Sequence, residues 1–200
     1  MLEIEKKFKM LLMDVEEQIN GAQRALEEPG PKAIEKVETR DDYLDNYKSV
    51  IENDAFAIIH GGREVTNQQV LYLRALTVAA TNLERLGDHA VNIARQTKFF
   101  DDPEFIKRFP YQKCFDEVRN AVSLVGDAFL RHDMGKALTI CRSELALDSM
   151  YKTEFDHILK RLRSGRNTGN YVTAIFVLRY VERMGDTLLN IGEAAIFAIT

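Results

Sequence analysis

Cysteine, proline and long apolar runs are all scarce in this chain of 200 residues. Its two cysteines, Cys114 and Cys141, fit no metal-binding or disulfide framework and suit a reducing compartment. The longest stretch without a charged residue, Asn167–Leu178, is far shorter than the ~20 apolar residues that a membrane span needs. Glutamates and lysines lie together at the N-terminus, which is not the layout of a signal peptide. We therefore expect a cytoplasmic protein that is peripheral to a membrane at most.

An excess of positive charge is absent as well. The formal net charge is −4, which gives no indication of a nucleic-acid partner. Hydrophobic residues make up 46% and charged residues 29%, the balance of an ordinary folded, soluble protein. The sequence has no glycine-rich loop for a phosphate group and no serine or cysteine arrangement typical of a catalytic nucleophile. These absences favour a protein that is not an enzyme.

The four prolines stand in two clusters, Pro29 with Pro31 and Pro103 with Pro110. Proline ends helices because it lacks an N–H and clashes with the preceding turn, so the stretches between the clusters can hold long helices. Apolar residues there recur every three or four positions, as in amphipathic helices. The pattern predicts helices over about 4–26, from the first proline cluster to His60, from a cap near Thr66 to about 94, and over about 111–131, 133–163 and 168–199.

A ten-residue segment occurs twice, which indicates an internal repeat. Glu84–Ile93 lies 98 residues before Glu182–Ile191, and six of the ten positions are identical. The apolar residues that precede this segment shift by the same distance. We predict an all-α fold of two tandem three-helix bundles with six long helices. The first bundle covers residues 1–100, the linker residues 101–110 and the second bundle residues 111–200.

Acidic residues recur at helical spacing in both halves. The third helix of each half carries two acids four residues apart, followed by an asparagine at the same spacing, and the second helix carries another acid pair. Residues at that spacing fall within an arc of about 80° on one helix face. The residues are Asp41, Asp45, Glu84, Asp88 and Asn92 in the first half, and Glu144, Asp148, Glu182, Asp186 and Asn190 in the second.

Two interpretations of these acids stay open. If the two helices are neighbours, four carboxylates share one volume in each half, and their repulsion calls for a compensating charge. Helical bundles hold iron or manganese in this way, and ligation by oxygen alone also suits magnesium or calcium. The other interpretation is a solvated face balanced by neighbours such as Arg85 and Arg183. Gly87 and Gly185 weaken their helices and so indicate a close approach of a second helix.

The repeated Glu-Arg-x-Gly-Asp-x-x-x-Asn-Ile signature, with an acid pair on the preceding helix, resembles the PhoU family of phosphate-uptake regulators. The resemblance covers about residues 1–199 and implies two bundles side by side. It implies divalent or trivalent metal ions (iron, zinc, manganese or magnesium) at the acid pairs, with Asn92 and Asn190 in support. It also implies a non-enzymatic role that links a phosphate ABC transporter to a sensor histidine kinase and damps the phosphate-starvation response. A homodimer stays open.

One departure from the family pattern separates the two halves. Thr187 stands where the first half has His89, so the halves need not be equivalent. Two other functions stay open, a carboxylate-bridged metalloenzyme and a structural module attached to a phosphate transporter. The shortage of histidine ligands argues against the metalloenzyme.

A basic cluster lies at the C-terminal end of the predicted fifth helix; it consists of Lys160, Arg161, Arg163 and Arg166. The simplest interpretation is that these cations oppose the helix dipole, and an acidic partner or lipid headgroups are the alternative. Glu154 and His157 in the same helix form a single Glu-x-x-His pair, whereas a di-iron bundle centre needs two such pairs.

Overall fold

A computed structural model describes residues 2–62, 64–107 and 109–200. Within these residues the chain forms seven α-helices and one 3₁₀ turn, and no strand. The helices are α1 Leu2–Glu27, α2 Pro31–His60, α3 Asn67–Gln96, α4 Pro103–Lys107, α5 Tyr111–Leu130, α6 Met134–Leu162 and α7 Thr168–Ile199, with the 3₁₀ turn at Thr97–Phe99. The predicted all-α fold with six long helices is therefore confirmed.

Local side-chain chemistry sets the starts of two long helices. Thr66 forms a capping box before α3: its Oγ1 accepts from the N–H of Gln69 at 3.2 Å, and its own N–H donates to Gln69 Oε1 at 2.9 Å. Asp133 caps α6 by accepting from the N–H of Lys136 at 3.1 Å. The predicted cap at Thr66 is confirmed.

The link between the halves has structure of its own, which the sequence did not predict. It contains the short helix α4, whose Phe105 and Ile106 are 6% and 1% exposed. Ile106 belongs to the main core, and Phe105 packs in a smaller cluster with Ile158 of α6 and Leu178 of α7. The link is therefore anchored on the second half by burial of its apolar side chains.

The two three-helix units share one hydrophobic core. Within each half all three long helices pack against one another, and the halves meet where α1 packs on α5 and α3 on α7. Phe8 of α1 and Phe129 of α5 are fully buried, with ring centroids 5.3 Å apart. One continuous cluster of buried residues runs through both halves. The described residues contain no helix that combines the length and the apolar content that crossing a bilayer requires.

The buried positions show how the halves correspond. The buried side chains of α1 and α5 match at an offset of 103 residues, and α2 and α6 match at the same offset. The third helices, α3 and α7, match at 98. The five-residue difference falls where α2 turns into α3, because α6 ends earlier and α7 begins later than their counterparts. Matched buried pairs include Val37 with Ile140, Leu44 with Leu147 and Ala55 with Ile158.

Both signature glycines lie against the preceding helix, as the sequence indicated. A Cβ atom on Gly185 would come within 3.2 Å of Leu147 Cδ1 and 3.4 Å of Glu144 Cα. Gly87 lies closer still to α2. These contacts bring the acid-bearing faces of the second and third helices together in each half.

Candidate metal centres in the two halves

The first half brings all four predicted carboxylates together. Asp41 and Asp45 come from α2, and Glu84 and Asp88 come from α3. Burial, then the negative charge of Asp88 and a hydrogen bond with the Asp45 carboxyl, together raise the pKa of Glu84 to about 7. The pKa of Asp88 is raised by burial and then by the charge of Asp45. These mutual effects show that the two acid pairs face each other across the helix contact.

Beneath this group, α1 contributes a residue that the sequence analysis missed. Gln18 is fully buried, and its Nε2 donates to Asp41 Oδ1 at 3.0 Å and to the Gly87 carbonyl at 3.3 Å. The hydrogen bond lowers the pKa of Asp41, but burial and the charge of Asp88 dominate and raise it. Gln18 Oε1 has no hydrogen-bond partner in the described structure. Gln18 of α1 thus holds the Asp41 carboxylate in place by a hydrogen bond.

Basic residues near the first group offset its charge only at longer range and, in the described structure, form no ion pair with it. Lys48, Arg85 and Arg95 act on the carboxylates at longer range and lower their pKa values. Arg95 forms its ion pair elsewhere, with Glu38 at 2.6 Å. Within the described residues, none of the four carboxylates has an ion-pair partner within 4.0 Å.

The second half pairs two of its four acids with cations of its own. Lys152 Nζ lies 2.6 Å from Asp148 Oδ2, and Arg179 lies 2.6 Å from Glu182 Oε1. Burial raises the pKa of Glu182, with Arg179 opposing it and the charges of Asp186 and Asp148 adding to it. Its second oxygen, Oε2, is buried without a hydrogen-bond partner in the described structure.

Glu144 of α6 forms no ion pair in the described residues, and its position is known from its contact with Gly185. Its Cα lies against Gly185, and its charge helps to raise the pKa of Lys152 after the larger effect of Asp148. The first half has Ser49 and Thr81 at the positions of Lys152 and Arg179. The two acid groups therefore share a backbone frame but differ in net charge.

The two asparagines and His89 are not held by the carboxylates of the acid groups in the described part of the chain. Asn92 is half-buried on α3, while Asn190 Nδ2 donates to Asn82 Oδ1 across the α3–α7 contact at 3.4 Å. The ring of His89 lies 6.3 Å from that of Tyr180, and its Nδ1 is buried without a partner in the described structure. Burial and the charge of Arg183 lower the pKa of His89 to about 4. Its imidazole therefore stays neutral near pH 7 and faces α7.

The acids converge without forming a finished ligand shell. In the part of the chain that the structure describes, no three histidine, cysteine, aspartate or glutamate side chains are already placed to hold one metal ion. The donors of the first half are carboxyl oxygens, and magnesium, calcium and manganese favour such donors. The first group therefore fits a hard cation by its chemistry, with side chains that have to close on the ion.

Two copies of a three-helix unit, each with an acid-bearing helix pair, define a class of all-α repeat protein. The family model described as PhoU domain matches residues 9–97 and 112–195, one copy in each half. The chain belongs to the PhoU family, and its resemblance to that family is confirmed.

Named relatives and solved structures agree with this membership. The phosphate-specific transport system accessory protein PhoU homologue of Clostridium acetobutylicum is 29% identical over 92% of this chain and 85% of its own length. The phosphate-specific transport system accessory protein PhoU homologue 1 of Thermotoga maritima is 29% identical over 96% of this chain and 83% of its own length.

Two crystal structures show the same fold. PhoU from Pseudomonas aeruginosa superimposes with a TM-score of 0.87 at 23% identity, over 98% of this chain and 95% of that protein. The phosphate transport system regulatory protein PhoU from Streptococcus pneumoniae gives a TM-score of 0.88 at 20% identity, over 99% and 94%.

Proposed function

We propose that this protein is a non-enzymatic regulator of phosphate transport that acts in the cytoplasm. Its family membership covers both halves, and its relatives are named as accessory proteins of phosphate-specific transport systems. As an adaptor it contacts a phosphate ABC transporter and a sensor histidine kinase, and so couples uptake to the phosphate-starvation response.

A divalent cation controls the surface that the adaptor presents. The supporting observation is the first-half acid group, in which Asp41, Asp45, Glu84 and Asp88 face one another without an ion-pair partner in the described residues. A cation between α2 and α3 removes this repulsion and holds the two helices together. The second-half acids already have Lys152 and Arg179, so they bind a cation more weakly.

Titration calorimetry on the full chain tests the metal site. Manganese(II), magnesium, zinc and iron(II) are titrated separately into protein stripped of metal. Asp41→Asn with Asp88→Asn is expected to weaken the tightest site at least tenfold, because amides keep the size but remove the charge. The matched pair Glu144→Gln with Asp186→Asn leaves that site unchanged. Equal losses in both variants would contradict the assignment to the first half.

Deletion of the gene tests the regulatory role. Phosphate uptake and phosphate-regulated transcription are measured in replete and starved cells. We expect raised transcription of phosphate-starvation genes in replete cells, restored by the native gene and not by the Asp41→Asn, Asp88→Asn variant. Unchanged uptake and transcription in the deletion strain would contradict the regulatory role itself.

The metalloenzyme alternative has less support. His89, the imidazole next in sequence to Asp88, contacts Tyr180 and is influenced by Arg183 of α7. Redox turnover by metal-loaded protein, absent from the Asp41→Asn, Asp88→Asn variant, would favour an enzyme instead.

A further inference from the structure

A pocket at one end of the second half is lined by none of the residues of the two acid groups. It is a cavity of about 600 Å³ between α4, the C-terminal end of α6 and the start of α7. Pockets that bind small ligands commonly span about 300–1,000 Å³. The size of this pocket therefore suits a small organic molecule.

The floor of the pocket is aromatic. Phe105 is buried and meets Tyr171 edge to face, with ring centroids 4.8 Å apart, and Phe109 stacks beside it at 6.2 Å. Tyr171 and Phe109 are only half-buried, so part of each ring faces the cavity. Planar ring systems stack favourably on such aromatic side chains.

The rim of the pocket is cationic. Lys160 and Arg161 are exposed and line the cavity, and neither has an ion-pair partner among the described residues. The acid among the lining residues, Glu154, lies 3.6 Å from His157. Exposed lysine and arginine side chains without an ion-pair partner bind phosphate groups through charge-assisted hydrogen bonds.

The first half has a corresponding pocket with the opposite character. Its cavity of about 530 Å³ is lined by Asp54, Ala57 and Ile58, which occupy the positions of His157, Lys160 and Arg161. Asp54 pairs with Lys7 at 2.6 Å. The last turn of α2 carries His60 as its basic residue, so the equivalent helix end forms without cations at positions 57 and 58. The charge of Lys160 and Arg161 is a property of the second pocket alone.

We propose that the second-half pocket binds a nucleotide. The base stacks on the Tyr171 ring and meets Phe109 at its edge, because these two rings lie at a steep angle to each other. The phosphate groups bind Lys160 and Arg161. This ligand combines a planar ring with negative charge, so it uses the floor and the rim together. The proposal goes beyond the proposed function and does not depend on the metal site.

Calorimetry on the full chain in EDTA tests the proposal, with ADP, inorganic phosphate and adenosine as separate probes. ADP is expected to bind at least tenfold more tightly than either of the other two. Lys160→Ala with Arg161→Ile gives the rim the residues of the first half, and Tyr171→Leu removes a ring of the floor. Each variant is expected to weaken ADP binding at least tenfold. Lys7→Ala, in the first-half pocket, is the matched control and leaves ADP binding unchanged.

Three results of the ADP calorimetry would overturn the proposal. These are no saturable ADP binding up to millimolar concentration, equal affinity for ADP and phosphate, and full ADP affinity in the Lys160→Ala, Arg161→Ile variant. Both of those side chains are exposed, so the double variant should stay folded, which circular dichroism checks. Sedimentation with phosphatidylglycerol vesicles, lost in the double variant while ADP fails to bind, would assign the rim to a lipid surface and also overturn it.

Discussion

Gly87 on α3 lies so close to Leu44 on α2 that a Cβ atom at position 87 would overlap Leu44 Cδ1. Leu44 is fully buried, so it has little room to move. The same glycine lies beside Asp41 and Gln18 of the first acid group. Contact between the two acid-bearing helices therefore depends on the absence of one side chain.

Gly87→Ala is expected to lower the free energy of unfolding by about 1–3 kcal/mol, because overpacking outweighs the better helix propensity of alanine. Gly126→Ala is the control, since its new Cβ meets Leu12 at an ordinary 3.7 Å. That substitution is expected to stabilise by up to ~1 kcal/mol. Urea unfolding of both variants measures the difference, and a neutral Gly87→Ala would contradict the tight helix contact.

Phe8→Ala is expected to lower the free energy of unfolding by about 3–5 kcal/mol, because Phe8 is fully buried against Phe129 of the other half. Since the core is continuous, both halves are expected to unfold in one transition. Phe56→Ala, at a side chain 65% exposed, serves as the control and changes stability by less than about 0.5 kcal/mol. Two separate transitions in calorimetry would show that the halves fold independently.

The stability of the metal-free protein is expected to fall as the pH rises through the raised pKa of Glu84. Folding raises this pKa from 4.5 to about 7, so the folded state holds the proton more tightly than the unfolded chain. The resulting stabilisation is full below pH 4.5 and is lost by about pH 7. Glu84→Gln, which is always neutral, removes this part of the pH dependence.

Urea unfolding in EDTA at pH 5 and pH 8 compares wild type, Glu84→Gln and a control, Glu64→Gln, at an exposed position. The control should keep the pH dependence of the wild type. An unchanged pH dependence in Glu84→Gln would show that the acid group does not hold this proton.

Cys141 is expected to react with thiol reagents before Cys114. Cys114 is 4% exposed, and burial, followed by the charge of Glu154, raises its pKa to about 11. The thiolate is the reactive form, so Cys114 should label only when the protein unfolds. Cys141 is half-buried. In kinetics with a chromogenic disulfide at pH 8, Cys141→Ser should abolish the faster phase; a fast phase that remains would contradict the burial of Cys114.

The helices and the meeting of the acid pairs could be predicted because they rest on local, periodic signals. Thr66 supplied a cap, and the spacing of Glu84 and Asp88 fixed one helix face. The facing of α2 and α3 followed from a short connection between neighbouring helices.

Other features depend on contacts between distant segments and gave weaker signals. Gln18 reaches Asp41 from another helix, and its only mark in the sequence is a polar residue on an apolar face. The pairing of Lys152 with Asp148 could have been found, since four residues separate them on one helix. Phe105 is buried against α6 and α7. A helix of five residues is too short for sequence periodicity to reveal such a contact.

The halves touch through like helices, α1 with α5 and α3 with α7. Contact between equivalent surfaces is how two identical chains associate about a twofold axis. A gene for a single three-helix unit could thus have made a symmetric dimer before its copies were fused. Fusion lets each copy change alone, which accounts for an acid group without ion pairs among the described residues in one half beside a group with two ion pairs in the other.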